Sequence, residues 1–281
     1  MAQSQIEDIK RSRKWHISAI LIAAIIVTNL PIIWVLLTSF KASVQITHAE
    51  PSWVFSPTLD HYVSLFTKKG DFDFFAYLIN SLIVSVSTTA LALIFSYPAA
   101  YSIARYKTLG DHYSFWVLSI RMLPPVIFLI PISMLFAIYG LTDTRIGIIL
   151  AYLTFNIPFA TWIIKSFIED IPVDLEKAAA MDGYSTLQIM TKIILPLTRS
   201  AVAAVAIICF IFSWNEFLMA LVISFFKSTT LTVGSATFVT GYGIRWGKIA
   251  AATIIAIIPT LTVGFIGQRY LVRGLTMGAV K

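Results

Sequence analysis

Four ionisable residues, Glu176, Lys177, Asp182 and Lys192, fall within one stretch, LEKAAAMDGYSTLQIMTKIILP, residues 175–196. The stretch separates two apolar runs, each long enough to cross a bilayer. A second set lies inside the apolar runs. Asn156 precedes Pro158, Trp214, Asn215 and Glu216 sit in FSWNEFLMA, Asn80 stands alone, and Arg121 precedes Leu123-Pro124-Pro125. Ionisable residues in such runs are functional candidates by default. Amides, an indole and one carboxylate suit hydrogen bonding and stacking with a neutral hydrophilic solute, Trp214 offering a face for a sugar ring. Each also has a structural reading: Arg121 can snorkel or satisfy carbonyls freed by the prolines, and Asn215 and Glu216 can fix helix packing.

Catalytic patterns are missing from the sequence. It has no paired-His motif, no G-x-S-x-G elbow and no Cys cluster. The segment GYGIRWGKI, residues 241–249, approaches a phosphate-binding loop but puts Tyr242 where the first Gly belongs and Ile249 where a hydroxyl would hold magnesium. ATP binding by this chain is therefore not expected. The single cysteine, Cys209, excludes an intrachain disulfide, and His16, His48, His61 and His112 lack ligand spacing. No metal or cofactor is expected in the chain.

The elements that carry these residues follow from composition. The 281-residue chain is 58% apolar and only 12% charged, about half the charge of a soluble domain, which indicates an integral membrane protein. The net charge of +7 is read as basic residues flanking membrane spans, since no Lys/Arg stripe with interleaved aromatics suggests nucleic acid. Six apolar segments, at 16–40, 76–104, 114–138, 146–168, 200–226 and 248–268, meet the length of a spanning helix. The first run is too long for a signal-peptide core and is read as a retained span. With the N-terminus inside, the inside segments carry the larger share of the 21 Lys and Arg residues, led by Lys10, Arg11, Arg13 and Lys14. Both termini and the 175–196 stretch are then cytoplasmic. The expected organisation is a cytoplasmic N-terminal segment (1–15), one six-helix membrane domain (16–268) containing a cytoplasmic loop (169–199), and a cytoplasmic tail (269–281).

Within that loop, Pro172, Asp174 and Glu176 suit the start of a helix. Leu175, Ala178 and Ala179 form a small apolar face. Asp182-Gly183 stops the helix, and Ser185 with Gln188 reads as a capping box opening a second one. Leu187, Met190 and Ile194 mark the apolar face of that second helix, and Pro196 ends or kinks it. Two short helices joined by a Gly turn suit docking into a cleft on a partner. The alternative is a loop resting on the membrane interface.

The stretch resembles the cytoplasmic EAA loop of ATP-binding-cassette importer permeases: Ala178-Ala179, Gly183 preceded by Asp182, then Ile193, Leu195 and Pro196 stand at the family's spacing. Lys177 occupies the place of the usual motif Glu, with Glu176 one residue earlier. RMLPPV, LAYLTFNIPFATWIIKSF, FSWNEFLMALV and QRYLVRGLTMGAVK are similar to the carbohydrate, maltose-type branch, so the likeness runs along nearly the whole chain. The resemblance implies an all-α, type I importer permease architecture in a prokaryotic inner or plasma membrane. It implies a second permease subunit, two cytoplasmic ATPases that bind ATP and magnesium, and an extracytoplasmic solute-binding protein that delivers a sugar. Glu176, Lys177, Ala178, Ala179, Asp182, Gly183, Leu195 and Pro196 would form the ATPase-coupling element, and Arg269 to Lys281 would also reach the ATPase pair. The alternatives are a permease for another small hydrophilic solute or a secondary transporter, which would have no use for the loop.

Overall fold

The computed structural model describes residues 2–47, 53–67, 72–108, 116–117, 119, 122–241 and 243–277, with side chains between 17 and 268. The chain falls into two compact units, residues 1–67 with 238–255, and residues 68–237 with 256–281. Five helical segments are long and apolar enough to cross a membrane: Ile17–Ser39, Phe74–Tyr106, Arg145–Glu169, Thr186–Asn215 and Trp246–Gln268.

The first unit contains α1 (Ala2–Ser39), α2 (Ser43–Thr47) and α3 (Asp60–Phe66). It also holds a hairpin, β1 (Val239–Thr240) with β2 (Gly243–Ile244), and the start of α12 (Trp246–Met277). The apolar window of α1 buries nothing, as expected of a helix whose solvent is lipid. The buried His61 ring on α3 pairs through Nε2 with the Lys41 carbonyl at 2.8 Å.

The second unit is built on α4 (Phe74–Tyr106), α5 (Val126–Ile138), α6 (Arg145–Glu169) and α9 (Leu195–Asn215). Between α6 and α9 lie α7 (Val173–Met181), α8 (Thr186–Ile189) and a π-helical turn, Met190–Ile194. After α9 come α10 (Leu218–Ile223), α11 (Leu231–Ala236) and the remainder of α12. Helices α4 and α6 run parallel: Asn80 meets Arg145 near their starts, and Arg105 meets Ile171 near their ends. One core joins α4, α6, the insert and α9 through Tyr97, Tyr101, Ile164, Ile168, Ala179, Ile189, Ile194, Val205 and Cys209. A second, toward the other end, joins Val84, Leu129, Phe136, Ile148, Tyr152, Met219 and Ile223. Cys209 is fully buried and acts as a small apolar residue. Gly267 brings α12 against α9, since a Cβ there would lie 2.0 Å from Ile207 Cδ1.

Two sequence expectations are revised. The apolar run 200–226 is not one helix: α9 ends at Asn215, Glu216 is extended (φ −68°, ψ 129°), and α10 restarts at Leu218. The restart is favoured because a Glu216 carboxylate oxygen accepts from the Met219 amide at 2.9 Å, supplying a partner for a helix-start N–H. Of the expected span 114–138, Trp116, Val117, Ser119 and Met122 are helical, and α5 follows after Pro124-Pro125. Arg121 lies outside the described residues. Among the described residues, the short β1–β2 hairpin adds two strands to the helices.

Candidate functional site

The insert between α6 and α9 forms as its sequence directs. Pro172 stands at the N-cap of α7, and Asp174 and Glu176 lie in the first turn, where the helix dipole favours negative charge. Asp182 is the C-cap and Gly183 takes φ +83°. The Tyr184 amide donates to the Ala179 carbonyl and the Gly183 amide to that of Ala180, each at 3.1 Å. This is the paired bonding of a Schellman stop, which favours glycine at the left-handed position. The capping box is complete: the Gln188 amide donates to Ser185 Oγ, and the Ser185 amide to Gln188 Oε1 at 2.9 Å.

Burial on α7 runs opposite to a helix that packs by its apolar side. Glu176 and Ala179 are buried, whereas Leu175, Ala178, Met181 and Asp182 are exposed. Leu175, Ala178 and Met181, three apart, lie on one outward face, with Met181 84% exposed. An apolar face held out from the core by its own helix fits a partner better than solvent. Lys177 also faces outward and meets Asp174 Oδ1 at 3.1 Å, both side chains largely exposed. An exposed pair of this kind contributes about 0–1 kcal/mol, so Lys177 is readily available to a partner.

Glu176 turns inward. Its carboxylate accepts from Arg105 Nε at 2.5 Å and from Tyr101 Oη at 2.6 Å, and Arg105 Nη2 donates to the Ile171 carbonyl at 2.9 Å. The Arg105 and Glu176 side chains are only 8% and 10% exposed. Removing one partner from such a buried pair costs about 3–5 kcal/mol, because the other charge is left uncompensated. Sequence reasoning placed Glu176 beside the motif and passed over Tyr101 and Arg105. Their signal is the i, i+4, i+8 spacing of Tyr97, Tyr101 and Arg105 along one helix face.

The expected apolar face of the second short helix is displaced. Ile189 and Ile194 are buried, Met190 is half-buried and Leu187 is 64% exposed. The π turn inserts an extra residue, so positions five apart share a face. Leu195 is half-buried and Pro196 exposed at the start of α9.

The membrane candidates separate. Asn156, Ser213 and Glu216 line a cavity of about 180 Å³ with Pro125, Tyr152, Phe155, Phe212 and Met219. Asn156 is 4% exposed, and its Nδ2 donates to the Tyr152 carbonyl at 2.8 Å and to Ser213 Oγ at 3.3 Å. Its Oδ1 has no partner among the described residues. Trp214 is elsewhere: it is buried, stacked on Phe210, and its indole N–H donates to the Ala256 carbonyl at 3.0 Å. Asn215 is exposed and donates back to Ile211. Asn80 joins a different site, accepting from Arg145 Nε and donating to the carbonyls of Lys227 and Thr229.

That other site was not foreseen. Asp143 (φ +54°) accepts from the backbone amides of Phe225, Phe226, Lys227 and Ser228 and from the Ser228 hydroxyl. Partial burial alone would raise its pKa, but the four amides outweigh that and lower it from 3.8 to about 2. The loop 224–230 is thereby fixed against the start of α6.

The structure thus combines apolar helices long enough to cross a membrane, a short insert with an outward apolar face, and a small cavity at Asn156, Ser213 and Glu216. Residues 92–277 match the family of binding-protein-dependent transport system inner membrane components, and the chain belongs to that family. The trehalose transport system permease SugB of Mycobacterium tuberculosis (strain CDC 1551 / Oshkosh) is 38% identical over 259 residues, 90% of this chain and 92% of that protein. The trehalose/maltose transport system permease MalG of Thermococcus litoralis is 32% identical over 274 residues, 94% and 95% respectively. The crystal structure of a bacterial ABC transporter that imports the acidic polysaccharide alginate contains a chain with the same fold, at a TM-score of 0.74 and 22% identity over 90% of this chain and 95% of that one. The fold is therefore the type I importer permease fold, and the chain is an inner-membrane transport subunit of an ABC system. ATP hydrolysis belongs to separate subunits.

Proposed function

We propose that the chain forms half of the translocation path of an ATP-driven importer for a neutral di- or oligosaccharide. The observation that carries this reading is the outward face of α7, Leu175, Ala178 and Met181, presented on a helix stopped by a Schellman turn and anchored from behind through Glu176. The proposed assembly pairs this chain with a second, different permease subunit, two cytoplasmic ATPases that bind ATP and magnesium, and an extracytoplasmic binding protein. Six crossing helices, the third running through residues 114–138, would set both termini and the insert in the cytoplasm. The Lys/Arg distribution supports that orientation.

In this mechanism the ATPase pair closes on ATP and displaces α7. The population of outward- and inward-open states shifts by as much as ATP favours one over the other. Lys177, Asp182 and the small side chain of Ala178 would meet the ATPase groove, Gly183 would set the turn beneath it, and Leu195 and Pro196 would join the insert to α9. In the path, the cavity at Asn156, Ser213 and Glu216 offers polar groups to sugar hydroxyls, with Phe155 and Phe212 as apolar walls. The trehalose and trehalose/maltose permeases among the relatives support a disaccharide-sized cargo. Co-purification followed by ATP-dependent uptake in proteoliposomes tests the reading. A protein that isolates without a nucleotide-binding partner and transports sugar without ATP would refute it.

A further inference from the structure

The face of α4 turned to the insert carries Tyr97, Tyr101 and Arg105, successive turns of one helix. Each touches the insert at a different point. Tyr97 Oη donates to the Met190 carbonyl at 3.1 Å, Tyr101 Oη to Glu176 Oε2 at 2.6 Å, and Arg105 Nε and Nη2 reach Glu176 Oε1 at 2.5 Å and the Ile171 carbonyl at 2.9 Å. The contacts begin at the first turn after α6 and end at the π turn before α9, so they bracket the whole insert. Yet α4 is not joined to the insert in sequence; its covalent neighbours are α6 and α9. On the α9 side the link is the π turn, whose Met190 carbonyl accepts both from the Leu195 amide and from Tyr97.

We propose that Tyr97, Tyr101 and Arg105 form a ladder that makes the insert move as one body with α4. An ATPase-driven displacement of α7 then enters the membrane first through α4. The inference rests on the reading of α7 as the ATPase dock. Glu176 is on this account an internal strut: both its oxygens are engaged within the chain, while its neighbours Leu175, Lys177 and Ala178 face outward. The ladder residues and Glu176 are positioning residues. They set how movement is passed on and touch neither ATP nor sugar.

The test is the number of sugars carried per ATP hydrolysed, measured in proteoliposomes holding the complete complex with its binding protein. The variants are Glu176→Gln, Arg105→Met, Tyr101→Phe and the double Tyr97→Phe/Tyr101→Phe. The ladder predicts a fall of about fivefold or more in that ratio for the Glu176 and Arg105 variants, with the ATPase subunits still co-purifying. Smaller losses are expected for the Tyr variants, greater in the double than in the single. Should an Arg105 variant fail to assemble, the isosteric Tyr variants decide the matter. Wild-type ratios throughout would overturn the proposal. So would loss of the ATPase subunits from Glu176→Gln but not from Arg105→Met, which would place Glu176 in the ATPase contact. A wild-type complex without ATP-driven uptake would instead refute the importer reading, and it is measured first.

Discussion

At Gly183 the backbone, and not the space around it, limits what can stand there. Its φ is +83° and a Cβ would meet nothing within 4 Å. Substitution therefore costs backbone strain of about 1–2 kcal/mol for an L side chain, more for a β-branched one and less for Asn, which tolerates the left-handed region. Gly183→Val should insert into the membrane normally but lose ATPase coupling, while Gly183→Asn should keep most of it; uptake and co-purification of both variants check this. Asp143 gives a second residue-scale expectation. Its folded pKa is depressed to about 2, so the carboxylate stabilises the 224–230 loop fully above the ordinary value of 3.8. That contribution is lost as pH falls through about 2. The hydrogen-exchange protection of residues 224–230, taken relative to the intrinsic rate at each pH, should fall between about pH 4 and about pH 2 in the wild type. Asp143→Asn should show low protection already at neutral pH, changed little by acid.

At the scale of elements, the local chemistry of the insert was legible in the sequence, and its orientation was not. Pro172, Asp182-Gly183 and the Ser185/Gln188 box act through backbone bonds within a few residues, so they announce both helix ends. Which face of α7 turns inward depends on Tyr101 and Arg105, about 70 residues away, and no local pattern reveals that a carboxylate will be buried while Leu175 is exposed. The π turn defeats periodicity in the same way, since a 3.6-residue period predicts Leu187 in the core and an inserted residue replaces it with Ile189. Removing that extra residue, for example by deleting Thr191, should misalign Ile189 with Ile194 and detach Met190 from Tyr97. The expected outcome is faster proteolysis within 173–194 with the membrane helices intact. Ser185→Ala should destabilise α8 by about 1 kcal/mol through loss of the cap, seen as faster exchange confined to residues 185–190.

For the whole molecule, the broad class follows from apolar run length and charge placement, which bilayer thickness dictates directly. Roles inside the spans are harder to read, because hydropathy treats a helix as uniform around its axis. Asn156 and Glu216 come together at one cavity because α6 and α9 pack there, whereas Trp214, two residues before Glu216 in sequence, faces α12 and Asn80 secures a loop. If the cavity belongs to the sugar path, Asn156→Leu should raise the KM for uptake about tenfold, the loss of one to two hydrogen bonds, with ATPase assembly unchanged. The central claim is that this chain moves sugar only by borrowing ATP's energy through α7. It is tested most directly by uptake of labelled trehalose or maltose into proteoliposomes holding the chain with its partner permease, ATPases and binding protein. The account predicts uptake with ATP that stops when the ATPases are omitted or Gly183 is replaced by Val. Equal uptake without ATPases or nucleotide would contradict it.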